Sequence, residues 1–220
     1  MLFKYVNIYI KRGLEMEYIT IKEEVVNEIE IEKSRFICHL KRVNSKEEAD
    51  EFIQKINKLH YKATHNCYCY SLFNPNYQKC SDDGEPQGTA GVPMLEAIKK
   101  GNINNIVAVV TRYFGGIKLG AGGLIRAYSN AVSNALSFAS LLRIKEYTHY
   151  EIEFDYNLIN VIEKYFNQNN IKVLDKNYDI TVKYLFYTDQ TVIKDKLFNL
   201  TLGKIKFTNE YLDYIEEVIK

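Results

Sequence analysis

Asn105 to Arg126 reads NIVAVVTRYFGGIKLGAGGLIR. Its first part, Ile106-Val107-Ala108-Val109-Val110, is an unbroken apolar run bounded by turn residues. Such a run predicts a central strand buried on both faces. Its last part opens a long helix whose apolar positions continue through Leu124, Tyr128, Ala131, Val132, Ala135, Ala139 and Leu142. Between them lie five of the chain's eleven glycines, Gly115, Gly116, Gly120, Gly122 and Gly123. A strand, a glycine loop and a helix in succession place free backbone N–H groups and the positive end of a helix dipole above the loop. Arg112, Lys118 and Arg126 add charge, and Tyr113 and Phe114 add rings. The expected site is one for phosphate or nucleic acid, formed by Arg112, Tyr113, the five glycines, Lys118 and Arg126. The alternative is a structural turn in which glycine serves strand–helix packing. The segment lacks the Gly-Lys-Ser/Thr ending of a nucleoside-triphosphate loop and the acidic partner of a dinucleotide fold.

Upstream, Tyr18–Glu24, Asn27–Lys33 and Ser34–Val43 read as strands. Ser45 with Glu48 forms a capping box for a helix to His60, its apolar face being Ala49, Phe52, Ile53, Ile56 and Leu59. His65–Phe73 is a strand, Asn74-Pro75-Asn76 a turn and Ser81–Pro86 a polar loop. Thr89–Lys100 is a helix with Gly101 as its stop. From Tyr147 the order strand, helix, strand, strand, helix, strand predicts a βαββαβ unit of the ferredoxin-like kind. The fold class is therefore α+β in two domains, 18–145 and 146–220, preceded by an extension or extra strand at residues 1–17.

The chain carries 29 Lys+Arg and 28 Asp+Glu, a net charge of +1. Residues 1–143 hold 19 bases against 15 acids, and 144–220 hold 10 against 13. Between Ala97 and Lys145 there are seven bases and no acid, a source of local positive potential if they share a face. Four cysteines are too few for a disulfide scaffold, and neither a signal peptide nor a membrane span is legible, which points to the cytoplasm.

Two further clusters carry chemistry. Asp82, Asp83 and Glu85 can bind a divalent cation or serve as acid and base, or they can cap the next helix. His65 with Cys67 and Cys69 can form a nucleophile–base pair, although buried structural cysteines are the commoner case. A metal-assisted enzyme acting on a phosphorylated small molecule would use His65, Asp82, Asp83 and Glu85. No confident catalytic residue, metal site or cofactor follows.

Four motifs occur in order: Ser34-Arg35-Phe36-Ile37, ATHNCY at 63–68, SDDGEPQGTAG at 81–91 and TRYFGGIKLGAGGLIRAY at 111–128. On these the chain resembles the IMPACT/YigZ family over roughly residues 18–140, and its tail is similar to the bacterial arrangement. The resemblance implies an N-terminal domain like domain two of ribosomal protein S five. It also implies a C-terminal domain like the ferredoxin-like domains of elongation factor G. Eukaryotic members regulate translation under amino-acid starvation through an added RWD domain, for which there is no room before residue 18. What carries over is an RNA- or ribosome-binding role in regulating translation, without a reaction. The acidic C-terminal domain is expected to offer a surface to a protein partner. The two loops are expected to share one surface, with Arg112, Lys118 and Arg126 facing Asp82–Glu85.

Overall fold

The computed structural model describes residues 17–219; the expected extension at 1–17 lies outside them except for its last residue. The chain forms two compact units. One holds 18–144 and the chain end from 216, the other 145–215.

The first unit contains β1 (Glu17–Ile21), β2 (Val25–Ile31), β3 (Ser34–Arg42), α1 (Lys46–Leu59), β4 (His65–Leu72), β5 (Tyr77–Ser81), α2 (Gly91–Lys100), β6 (Ile106–Tyr113) and α3 (Gly120–Phe138). Its main sheet has the order β2-β3-β6-β4-β5, and every neighbouring pair is antiparallel. β6 is central because both its faces are apolar. Ile106, Ala108 and Val110 enter a core with Met94 and Ile98 of α2 and Leu124 and Ala131 of α3. Val107 and Val109 enter a second core with Phe52, Ile53 and Ile56 of α1. Helices on both sides explain the continuous apolar run, since neither face can be polar.

Ser45 caps α1 as expected, its Oγ accepting from Glu48 N at 3.1 Å. The Glu48 carboxylate reaches back one residue further than a standard box and accepts from Asn44 N at 2.8 Å. Leu59, expected on the apolar face, is 61% exposed; the last turn has rotated past the sheet. β5 was not legible as a strand. It is a short edge strand whose Gln78 and Lys79 break the apolar alternation. Leu142, expected to extend the α3 face, belongs instead to β7 (Leu141–Phe154). The backbone turns extended at Ala139, with φ −73° and ψ 136°.

The second unit takes up β7 from residue 145 and adds a 3-10 turn (Tyr156–Leu158), α4 (Ile159–Gln168), β8 (Lys172–Tyr178), β9 (Val182–Thr188), α5 (Ile193–Leu200) and β10 (Ile205–Val218). β9 lies between β7 and β8, and β10 pairs with β7. This is the βαββαβ order that the sequence predicts. Tyr150, Ile152, Phe154, Val182, Tyr184 and Phe186 form its core with Ile162 and Phe166 of α4 and Ile193 and Leu197 of α5. Among the described residues no helix is long and apolar enough to cross a membrane.

On the α1 side of the first unit, His39 Nε2 lies 3.1 Å from His60 Nε2, and His60 Nδ1 lies 3.0 Å from the Tyr113 hydroxyl. Two imidazoles sharing one proton this way cannot both be charged. Burial, with the neighbouring His60 and Lys55, holds His39 down at about 4. Burial also lowers His60, helped by the charge of Arg35. The fold therefore binds fewer protons than the unfolded chain below the ordinary histidine value of about 6.5. Stability is expected to be full above that value and to fall as the pH drops towards 4. Denaturant unfolding at stepped pH should show this slope, and His39→Leu should flatten it; an unchanged slope in His39→Leu would contradict the assignment.

Candidate functional site

The site grows from one position of the central strand. Phe36 of β3 and His65 of β4 are the two cross-strand partners of Arg112 in β6. Directly opposed residues share a sheet face, here the face under α3. Arg112 is 5% exposed. It is expected on the surface as a phosphate ligand, and the structure places it inside. Its Nη1 donates to Glu85 Oε1 at 2.6 Å, and the Tyr128 hydroxyl of α3 donates to the same oxygen at 2.8 Å. The guanidinium also lies 5.5 Å from the ring centres of both Phe36 and Phe114, within range of a cation–π contact. A cation so enclosed needs its carboxylate, because an isolated buried charge is strongly disfavoured.

The acidic loop is built around the same pair. Asp82 accepts from the backbone N–H groups of Gly88 at 2.8 Å, Ala90 at 3.0 Å and Gly91 at 2.8 Å. It thereby takes the amides at the start of α2, whose cap residue Ala90 has no side chain to offer. Burial alone would raise its carboxyl, but the amides of Gly88, Gly91 and Ala90 outweigh that and hold it below its ordinary value. Asp83 Oδ2 accepts from Asn66 N at 2.6 Å. His65 Nδ1 lies 2.7 Å from the Asp83 carbonyl; a carbonyl can only accept, so Nδ1 donates. The His65 Nε2 is 3.8 Å from Glu85 Oε2.

Cys67 donates towards the Asp82 carbonyl at 2.9 Å and lies 3.4 Å from the Tyr128 hydroxyl. Burial pushes its thiol up to about 12, which removes thiolate character at neutral pH. Burial raises the Tyr128 phenol as well, with Cys67 and Glu85 adding to it, so it stays a donor. Cys69 is fully buried in the core. The cluster therefore has no ionised thiol, and each of its three carboxylates accepts at least one hydrogen bond. Among the described residues no group of three or more His, Cys, Asp or Glu side chains is arranged to hold a metal ion.

The glycine segment divides in two. Gly115 is structural: a Cβ there would lie 2.0 Å from the Lys33 carbonyl carbon, so only glycine lets the end of β6 meet the β2–β3 turn. Its N–H donates to Ser34 Oγ at 3.2 Å. Gly123 packs on Leu119, with 2.9 Å between its would-be Cβ and Leu119 Cβ. The rest faces outward. Gly116 and Gly120 have nothing within 4 Å of a would-be Cβ, and Gly122 only the Arg126 guanidinium at 3.7 Å. Gly120 starts α3 with φ +67°, a conformation that disfavours other residues. The first turn of α3 has no side-chain cap and no acidic residue. Lys118 and Arg126 are exposed beside it. Tyr113 points to the other face of β6, bonded to His60, with Arg35 5.6 Å from its ring centre.

Arg112 and Glu85 thus join the two loops, while Lys118 and Arg126 remain outside. Tyr128 was readable as ordinary core or as a ring beside the basic segment; it is buried, and its hydroxyl completes the pair. A tyrosine among the small residues of α3 was the one available signal, since phenylalanine would fill the same space without a buried hydroxyl.

The Impact N-terminal domain family matches residues 32–136. The chain is 45% identical over 206 residues to the IMPACT family member YvyE of Bacillus subtilis, covering 92% of this chain and 95% of that one. It is 37% identical over 156 residues to the IMPACT family member YigZ of Escherichia coli, covering 70% and 76%. A solved crystal structure of a hypothetical protein aligns at a TM-score of 0.58 with 31% identity, covering 89% and 97%. Protein IMPACT-B of Xenopus tropicalis is 35% identical over 94 residues, 40% of this chain and 29% of that protein.

Breaking a buried ion pair from one side leaves the other charge stranded. Glu85→Ala and Arg112→Ala are each expected to lower the unfolding free energy by about 3–5 kcal/mol. The double variant should lose less than the sum of the two. Denaturant titration of the three variants checks this; additive losses would mean that the pair is not coupled.

Proposed function

The chain belongs to the IMPACT family, and we propose that it is a non-enzymatic RNA-binding protein that acts on the ribosome or its RNA in the regulation of translation. The observation that carries this is the uncapped, acid-free first turn of α3 with Lys118 and Arg126 exposed beside it. Backbone N–H groups at a helix start, with cations at hand, form a receptor for phosphate oxygens. Such contacts position a nucleic acid without reading its sequence. The surrounding stretch from Ala97 to Lys145 contains no acid to oppose them.

The enzymatic reading needs Asp82, Asp83 or Glu85 as metal ligand or base. Asp82 and Asp83 hold backbone amides and Glu85 holds Arg112. A cleft of about 310 Å³ lies at the opposite end of β4, where Ser71 and Gln78 line it together with Asn104; these carboxylates do not reach it. The geometry favours the binding role.

Binding of structured and single-stranded RNA across a salt series tests the reading. Removing one phosphate-binding cation should make the slope of log affinity against log salt shallower by about 0.7 for a single strand. Lys118→Ala with Arg126→Ala should therefore weaken binding at low salt and flatten the slope. Absence of binding at low salt in the unmodified chain, or identical curves for the double variant, would refute it.

A further inference from the structure

Cys69 of β4 and Cys80 of β5 are direct cross-strand partners. Directly opposed residues point to the same face of a sheet. Here it is the α2 side, where Cys69 lies in the core with Met94 and Ile98 and Cys80 packs against its margin. Both are free thiols. The Cβ atoms of directly opposed residues are about 4.5–5.5 Å apart, and a disulfide takes about 3.5–4.5 Å. β5 stands at the edge of the sheet and pairs with β4 alone, so it can close the difference. The register leaves the other two cysteines out. Cys38 lies on β3, with β6 between it and β4; two strand spacings make about 9–10 Å, beyond the reach of about 7 Å between Cα atoms. Cys67 opposes no residue of β5, whose last residue, Ser81, faces Tyr68.

We propose that Cys69 and Cys80 form a redox latch, closed to a disulfide by small-molecule disulfides of the glutathione class. Exposure divides the roles. Cys69 is 0% exposed, so a reagent in solvent cannot meet it first. Cys80 is partly exposed, although cysteine usually packs fully inside. The Cys80 sulfur, as thiolate, attacks the reagent; the reagent's S–S bond breaks, one thiolate leaves, and a mixed disulfide forms on Cys80. The Cys69 sulfur then displaces the second thiolate. The protein loses two electrons and two protons, and the reagent becomes two thiols. Burial and Asp82 raise the Cys80 thiol, opposed by Lys99, so thiolate is scarce at neutral pH and closure should quicken from about pH 7 to about pH 8. Ser81 follows Cys80 and lies against the start of α2, its N 2.8 Å from a would-be Cβ on Gly91. Asp82 comes next and holds the amides of Ala90 and Gly91. The bridge therefore ties the base of the acidic loop to β4 by a covalent bond. This inference does not rest on the RNA reading.

Intact-mass measurement and peptide mapping of the folded full chain, incubated with oxidised glutathione, test the latch. The unmodified chain should lose two hydrogens in mass and yield one linked peptide pair, Cys69 with Cys80, reversed by dithiothreitol. The oxidised chain should melt at a higher temperature than the reduced one. Cys80→Ser should form neither the bridge nor a glutathione adduct. Cys69→Ala should stop at the mixed disulfide, with one glutathione kept on Cys80; circular dichroism checks that this core variant is folded, and the map of the unmodified chain decides the matter if it is not. No change in mass, a bridge through Cys38 or Cys67, or a bridge that forms only in denaturant overturns the latch. So does a glutathione that stays on Cys80 of the unmodified chain.

Discussion

Glu85 and Arg112 lie in the interior of the first unit, where neither can be solvated on its own. Arg112 is fixed at the end of the central strand and Glu85 in the loop before α2, while Tyr128 reaches the same carboxylate oxygen from α3. One carboxylate therefore ties together three segments that are distant in sequence. The desolvation of two charges is offset only when their geometry is close and their remaining hydrogen-bonding capacity is used. Here the Tyr128 donor uses part of it, and Phe36 and Phe114 flank the guanidinium. The Nε of Arg112 has no partner, so the arrangement is not fully compensated, and removal of either charge should be felt across all three segments.

The outer surface follows from this inner constraint. With Arg112 drawn inward, the loop after β6 is free to present Gly116, Lys118 and the start of α3. Gly115 makes that possible by lying directly on the β2–β3 turn. The acidic loop, for which the sequence left open both chemistry and helix capping, closes the ends of α2 and β4. Its carboxylates accept from backbone amides and from one arginine. Lys118 and Arg126 stay at the surface, while Glu85 is taken inside by Arg112.

Much of this architecture was legible because periodicity reports burial. The continuous apolar run marked β6, and the restart at Tyr147 marked the second unit. Edge strand β5 was hidden because Gln78 and Lys79 give no alternation, and the early start of β7 because Leu141 and Leu142 prolong the apolar spacing of α3. The candidate site was legible as two loops sharing one surface, but not as a buried pair of Arg112 with Glu85. Clustering of basic residues along the sequence put Arg112 with Lys118 and Arg126, although strand alternation turns Arg112 into the core. No local signal shows that Glu85, 27 positions earlier, is its partner; that depends on how β4 and α2 are placed against β6.

The central claim is that Arg112 holds the fold while the first turn of α3 meets the ligand. Amide and guanidinium NMR spectra of the full chain, titrated with single-stranded RNA, test it directly. The account predicts shifts at the backbone amides of Lys118 to Gly123 and an Arg112 Nε–H resonance that stays in place. Movement of the Arg112 resonance with no change at Gly120, Gly122 and Gly123 would contradict it.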